Sequence, residues 1–450
     1  MEIRDFLEKA GTVKPTQRQI DHMNDPFYAF VHFGMNSVTS SELGSGKEDE
    51  KIFNPVDLDC DEWVEAIKSA GMTGAILTAK HHDGFCLWQT KYTEHSIKNS
   101  PFRGGKGDIV KEPSEACARG GIRFGVYLSP WDRNSAFYGS EEYNDYYKKQ
   151  LTELLTGYGE LFEVWFDGAC FEGPNGRKQQ YDYDGYIDLI RKYQPNACIF
   201  NDHGPDVRWV GNESGTARGC EWATVPAELC HRVRENAVEI DGLEGSLAGI
   251  YNTDSNIGDL SQILYSKRLV CCPSEIDMSI RPGWFYHREE EPHSLERLFG
   301  TYLHSVGGNA CFNLNIPPMA NGRFDPRDIA RLKELGDTIK RNFSLDLAPN
   351  AGCTVESAGW GQTDFVYDLG CKKKIGYVEL RENMANGQRI EAFEISCFAD
   401  GEWRKYAHGT TVGFRKFVPV NAWLSKIRVS VKGSRGQAEL LPIRAFAQAD

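Results

Sequence analysis

The sequence predicts an α/β fold: a (β/α)8-type barrel, irregular in its later half, over residues 1–345, followed by a C-terminal β-sandwich over residues 346–450. Three observations carry this. Short apolar runs alternate with amphipathic segments across short connections, the pattern of parallel strands with helices packed outside them. At 450 residues the chain exceeds what one core usually serves, so a large and a small domain are expected. Composition changes near Leu345, after which strand-like runs and turns follow with no convincing helix.

In order, Phe27 to Phe33 (FYAFVHF) reads as a strand, Asp61 to Ala70 as a helix and Gly74 to Ala79 (GAILTA) as a second strand. Asp108 to Arg119 is helical, and Ile122 to Leu128 (IRFGVYL) is the third strand. A helix over Glu141 to Leu155 leads to a fourth strand, Phe162 to Phe166. Asp182 to Tyr193 is a helix stopped by Pro195, and Ala197 to Phe200 (ACIF) is a fifth strand. Beyond Asp202 the pattern blurs through long Gly-rich loops, and it recovers near Leu295 to Val306, Ala310 to Ile316 and Asp325 to Arg341. In the C-terminal part, Ile375 to Leu380, Arg389 to Cys397 and Lys426 to Val431 read as sandwich strands. No internal repeat or low-complexity tract stands out.

Net charge narrows the function. With 51 Lys and Arg against 64 Asp and Glu, the formal charge is −13. Counterion release needs a basic face, so nucleic acid and anionic membranes are poor partners and a neutral substrate is expected. No run of 18 apolar residues occurs, so no membrane span is expected. Thirteen cysteines, an odd number without C-x-x-C pairs, suit a reducing compartment. The N-terminus lacks the apolar core of a signal peptide, and a cytoplasmic location is the expectation. The sequence leaves the oligomeric state open.

Barrel chemistry collects at the C-terminal ends of the strands. Those ends carry His32, then His81-His82-Asp83, then Tyr127 and Ser129, then Trp165 and Asp167. Polar groups at four strand ends single out one face. Asp167 closes the aromatic run FEVWFDGAC and is the candidate nucleophile, since an unpaired carboxylate inside such a strand is costly. A strand-ending Asp that caps the next turn is the alternative. His81-His82-Asp83 invites a metal, but adjacent strand residues point apart, so the histidines read better as hydrogen-bond partners of sugar hydroxyls. Trp88 and Trp165 offer flat apolar faces to a sugar ring, or else belong to the core. Gly104-Gly105-Lys106-Gly107 lacks the spacing of a phosphate loop. No metal or cofactor is expected.

Glycoside hydrolysis needs two carboxyl groups. Asp167 offers one. Glu213, in Arg208-Trp209-Val210-Gly211-Asn212-Glu213-Ser214-Gly215, offers the other: glycines let it approach a ligand, and poor solvation beside a tryptophan would raise its pKa. A solvated loop glutamate is the alternative.

Together FVHFG, AKHHDGF, VYLSPWDRN, VWFDGA, DVRWVGNESG, SIRPGWFYH and VGGNACFNLNIPP resemble, in this order, the α-L-fucosidases of glycoside hydrolase family 29. RWVGNESG and RPGWFYH are most similar to the subgroup that prefers α-1,3/1,4-linked, branched fucose. The likeness extends to GQRIEAFEI and HGTTVGFRK, which look like that subgroup's jelly-roll domain. It implies a retaining exo-α-L-fucosidase that removes Lewis-type terminal fucose through a covalent fucosyl-enzyme. On this resemblance Asp167 falls on the nucleophile and Glu213 on the acid/base. His32, Glu42, His81, His82, Tyr127 and Trp165 fall on the fucose pocket. Leu43 departs from the pattern, standing where these enzymes usually carry tryptophan, which puts the aglycone wall in question. Broad specificity, a fucose-binding protein on an inactive scaffold, and a metal-dependent hydrolase on His81, His82 and Asp83 are the competing readings.

Overall fold

The computed structural model describes residues 2–230 and 235–447. Eight parallel strands close into a barrel. They are β1 (Phe27–Val31), β2 (Gly74–Lys80), β3 (Arg123–Leu128), β4 (Glu163–Trp165), β5 (Cys198–Asn201), β6 (Val207–Trp209), β7 (Ser274–Ser279) and β8 (Ala310–Asn315). Closure is explicit in the register, where β1 pairs β8 through Phe27 and Phe312 and pairs β2 through Ala29 and Ala75. Almost every residue of these strands is buried, which is why they read as continuous apolar runs.

Helices Cys60–Ser69, Lys111–Gly120, Glu141–Gly157, Tyr183–Tyr193, Leu295–Ser305 and Pro326–Phe343 surround the barrel. Their starts follow local chemistry. Asp59, Asp182, Ser294 and Asp325 each accept a backbone N–H of the first turn, satisfying a donor the helix leaves free. At the opposite mouth, helix Gln17–Asn24 begins with a capping box between Thr16 and Gln19. Its Gln19 side chain donates to the carbonyls of Asp206 and Cys271, plugging the floor of the barrel.

Irregularity is concentrated after β6. Between Val210 and Pro273, the described residues form a small antiparallel sheet (Thr224–Pro226, Arg268–Cys271 and Val238–Glu239) and no helix longer than Leu260–Ile263. β6 and β7 escape a pattern reading for physical reasons. β6 has three residues, too few for a period. β7, SEIDMS, alternates polar and apolar like a half-exposed strand, yet all six residues are buried and its acids face the lumen.

The last barrel helix ends at Phe343, and the next strand starts at Gly352. Six antiparallel strands follow, including the 19-residue Gln362–Leu380 and Lys416–Ser434. These two pair in three stretches separated by register shifts at Asp368/Lys373 and Ile375/Tyr377. Such bulges bend a sheet. One core, with Phe365, Val378, Val420 and Val429, takes side chains from the first and the last of these stretches. The sheet also braces the later barrel loops. Phe417 stacks on Phe343 at 4.3 Å, Gln388 accepts the Ala223 N–H, and Phe414 N–H donates to Asn309 at 2.7 Å.

Candidate active site

At the C-terminal face a cavity of about 250 Å3 is lined by Phe30, His32, Glu42, Leu43, His81, His82, Trp165, Asp167, Ala169, Glu213, Asp277 and Trp284. Residues far apart in sequence meet here because every parallel strand ends on the same side.

Asp167 follows the end of β4. One of its oxygens accepts the Ala169 N–H at 2.7 Å, and the other accepts the Tyr127 hydroxyl at 3.0 Å. Burial raises its pKa, with these two donors opposing the rise. Burial and the neighbouring Asp167 carboxylate push the Tyr127 hydroxyl well above its ordinary value, so it stays a donor.

Three histidines stand around Asp167, and their tautomers follow from their partners. Asn315 uses its amide hydrogens on Ser279 and the Trp284 carbonyl, so its oxygen accepts from His32 Nδ1 at 2.9 Å. His32 Nε2 is left as an acceptor. Asn36 donates to His81 Nδ1 at 3.3 Å, which leaves His81 Nε2–H as a donor. The Ser129 hydroxyl donates to the Trp131 carbonyl, so His82 Nδ1–H donates to Ser129 at 2.7 Å. His82 Nε2, an acceptor, lies 3.8 Å from Asp167. A hydroxyl placed between them could donate to either. Burial drives His32 and His82 down to about 3 and His81 well below its ordinary value, so all three are neutral at working pH. The set presents mixed neutral donors and acceptors, suited to sugar hydroxyls.

His81 and His82 do not point apart. The strand stops at Lys80, and both rings reach the cavity with centroids 4.0 Å apart. Their Nδ1 atoms are taken by protein partners, and Asp83 turns away to accept the Phe85 N–H. Trp165 forms the floor, stacked on Phe200 at 4.1 Å. Trp88 is a correction. It is buried in the main core outside the barrel, its indole donates to Glu153 on helix Glu141–Gly157, and it lines no part of this cavity. The chain after β2 runs outward over that helix, which carries Trp88 with it.

Glu213 is presented by the loop after β6. Gly211 and Gly215 have φ of +107° and +76°, and a Cβ at either would meet Ile250 O at 2.5 Å or Met278 Sδ at 2.6 Å. Beneath the loop, Arg218 donates to the carbonyls of Val210, Ile250, Asn252 and Ser255. Glu221 pairs with both Arg218 and Arg208, all three side chains being buried. Burial raises the pKa of Glu213, with Asp167, Glu42 and Asp202 adding to the rise and the Trp284 N–H opposing it.

Trp284, in the motif RPGWFYH, carries no role that the sequence alone reveals. Its indole N–H donates to Glu213 at 3.3 Å, its backbone N–H donates to Glu42 at 3.0 Å, and its ring lies 5.0 Å from His32. Glu42 also bonds His287 Nε2 at 2.6 Å. Asp277 on β7 is the other missed residue. It accepts the Trp209 indole N–H, and burial, with Glu275 and Glu213 nearby, pushes its carboxyl well up. Leu43 stands at the rim, 47% exposed.

A family model described as alpha-L-fucosidase matches residues 46–343. The chain belongs to the alpha-L-fucosidase family. Alpha-L-fucosidase 1 of Arabidopsis thaliana is 39% identical over 433 residues, covering 90% of this chain and 81% of that one. A Bacteroides ovatus protein assigned as an alpha-L-fucosidase superposes with a TM-score of 0.89 at 41% identity, covering 100% of this chain and 77% of that one. A Ruminococcus gnavus family 29 fucosidase, solved in complex with fucose, gives 0.83 at 27% identity over 98% of this chain and 96% of that one. This member is accordingly a glycoside hydrolase of the α-L-fucosidase type acting on fucosylated substrates.

Proposed function

We propose that this α-L-fucosidase removes terminal α-1,3/1,4-linked L-fucose from Lewis-type branched glycans by retaining double displacement. The observation that carries the mechanism is the placement of Asp167 and Glu213 in one cavity with unlike surroundings. Asp167 is fixed by two donors, as a nucleophile must be, while Glu213 lies on a loop beside an indole N–H with its pKa raised, as an acid must be.

Asp167 attacks the anomeric carbon as the glycosidic bond breaks, and the departing oxygen takes the Glu213 proton. Glu213, now a carboxylate, deprotonates a water that attacks the same carbon. α-L-Fucose leaves, Asp167 regains its charge and Glu213 its proton. His32 and His82 accept from ring hydroxyls and His81 donates to one; the bonds that His32 and His82 accept strengthen as positive charge develops on the ring, which is where binding energy raises rate, while His81 orients its hydroxyl. Trp165 and Phe30 offer the apolar surface that a methyl group needs.

Linkage preference rests on the RWVGNESG and RPGWFYH loops, which supply Glu213 and Trp284 to the same wall. Leu43 favours a second reading, broader specificity, because it leaves the rim less enclosed than a tryptophan would. Fucose release from a branched Lewis-type trisaccharide, a linear α-1,2-fucosylated sugar and an aryl fucoside separates them. Release from the branched sugar alone, lost in Asp167→Asn, supports the first reading, and equal release from all three supports the second.

A further inference from the structure

Beneath the cavity, on the opposite side of Trp165, the lumen holds a second polar cluster that the hydrolytic reaction does not use. It comprises His22 from the helix plugging the floor, Tyr28 on β1, Glu163 on β4 and Glu275 on β7, all buried. One nitrogen of His22 and one carboxylate oxygen from each glutamate lie within 4.8 Å of one another.

The hydrogen bonding inside this cluster does not close. The Tyr28 hydroxyl donates to Glu275, so the 3.0 Å contact between Tyr28 and His22 Nε2 has the imidazole as donor. The proton is therefore on Nε2 and the lone pair on Nδ1. That lone pair lies 4.0 Å from a Glu163 oxygen, itself an acceptor. His22 Nδ1 and both Glu163 oxygens have no hydrogen-bond partner, although His22 is 2% and Glu163 0% exposed. The Asn313 oxygen is also unpartnered, while its amide donates to Glu275. Acceptors converging at buried atoms are costly unless the two carboxyls share a proton or a positive charge stands among them.

We propose that His22, Glu163 and Glu275, with the Tyr28 oxygen beside them, bind a first-row divalent cation in the floor of the barrel. One neutral imidazole and two carboxylates form a mixed N,O set suited to Zn2+ or Mn2+, and the carboxylates' two negative charges match the ion's two positive ones. Ligands at about 2.0–2.2 Å around a tetrahedral ion would lie roughly 3.4 Å apart, so the cluster contracts by little more than 1 Å on binding. Arg123 is an opposing charge near enough to act on His22 and Glu163; its guanidinium lies over Phe162, 4.5 Å from the ring centroid, and donates to the Asp25 carbonyl. An entry path exists: a cavity of about 460 Å3 opens below the barrel, with His22, Arg123 and Phe162 in its wall. Glu275 links the site to the sugar cavity, because its other oxygen accepts the Trp165 indole N–H at 2.9 Å. The ion thus fixes the floor on which the sugar rests and touches no reacting atom.

The test uses the untagged full chain, stripped with chelator, incubated with Zn2+ or Mn2+ alone, gel-filtered and assayed for metal by mass spectrometry. About one ion per chain, with a melting temperature above that of the stripped protein, is the expected result. Glu163→Gln should weaken binding at least about tenfold. Should Glu163→Gln fail to fold, His22→Gln removes the lone pair while keeping both carboxylates, and it should lose the ion likewise. Wild type that retains no ion would overturn the proposal and leave a proton shared between the glutamates. Undiminished metal content in a folded variant would overturn it equally, placing the ion elsewhere.

Discussion

Replacing Tyr127 by phenylalanine deletes one hydroxyl and leaves the ring among Trp165, His81 and Phe30. The hydroxyl donates to Asp167 at 3.0 Å in surroundings with little water. A hydrogen bond to a charged acceptor is worth about 1.5–3 kcal/mol. Its loss therefore disfavours the carboxylate by that free energy, about 10- to 100-fold in the ionisation equilibrium, and raises the Asp167 pKa. The sign follows from which form is stabilised: the hydroxyl favours the carboxylate, and burial already pushes Asp167 upward against it. Attack requires the carboxylate, so the acidic limb of kcat/KM must move to higher pH. On the limb the rate falls about 10- to 100-fold, and on the plateau much less. Hydrolysis of an aryl fucoside across the acid range measures it. An acidic limb that stays where it is, with activity lost uniformly, would refute the reasoning and make Tyr127 a packing residue only.

Other outcomes follow from the same site. Glu213→Gln should slow a Lewis-type substrate by about 100-fold or more while sparing an aryl fucoside whose leaving group needs no proton, and it should remove the alkaline limb of the pH profile. Equal loss on both substrates would exclude Glu213 as the acid. Glu221→Gln leaves Arg208 and Arg218 buried without their anion; against the upward push of burial, those two arginines hold the Glu221 carboxyl below its ordinary value. Urea denaturation should report a loss of about 3–5 kcal/mol, and a change below about 1 kcal/mol would contradict that account. Leu43→Trp should lower KM for branched oligosaccharides and leave aryl fucoside turnover within about twofold, because the rim faces the aglycone and not the fucose ring.

Much of the architecture was legible because a parallel barrel buries both faces of its strands. Phe27 to Phe33, Gly74 to Ala79 and Ile122 to Leu128 announce themselves as apolar runs, and the helices between them carry ordinary caps. β6 and β7 were not legible, one for its length and the other because Glu275 and Asp277 point into the lumen, where alternation mimics a surface strand. The site residues at strand ends were found by position. Trp88 was misplaced because a tryptophan near a strand end looks the same in sequence whether the chain turns inward or outward. Trp284 and Asp277 come from the segment where periodicity fails, and only contact with Glu213, Glu42 and Trp209 reveals them. His22, Glu163 and Glu275 share no motif; strand order alone brings them together.

The central claim is that Asp167 forms a covalent bond to fucose. Incubation with a 2-deoxy-2-fluoro-fucoside carrying a good leaving group slows both steps, and the second more, so the intermediate accumulates for peptide mass mapping. The account predicts one fucosyl label per chain, on the peptide containing Asp167 and absent in Asp167→Asn. A label on another carboxylate, or turnover of the unsubstituted substrate that yields β-L-fucose first, would contradict it.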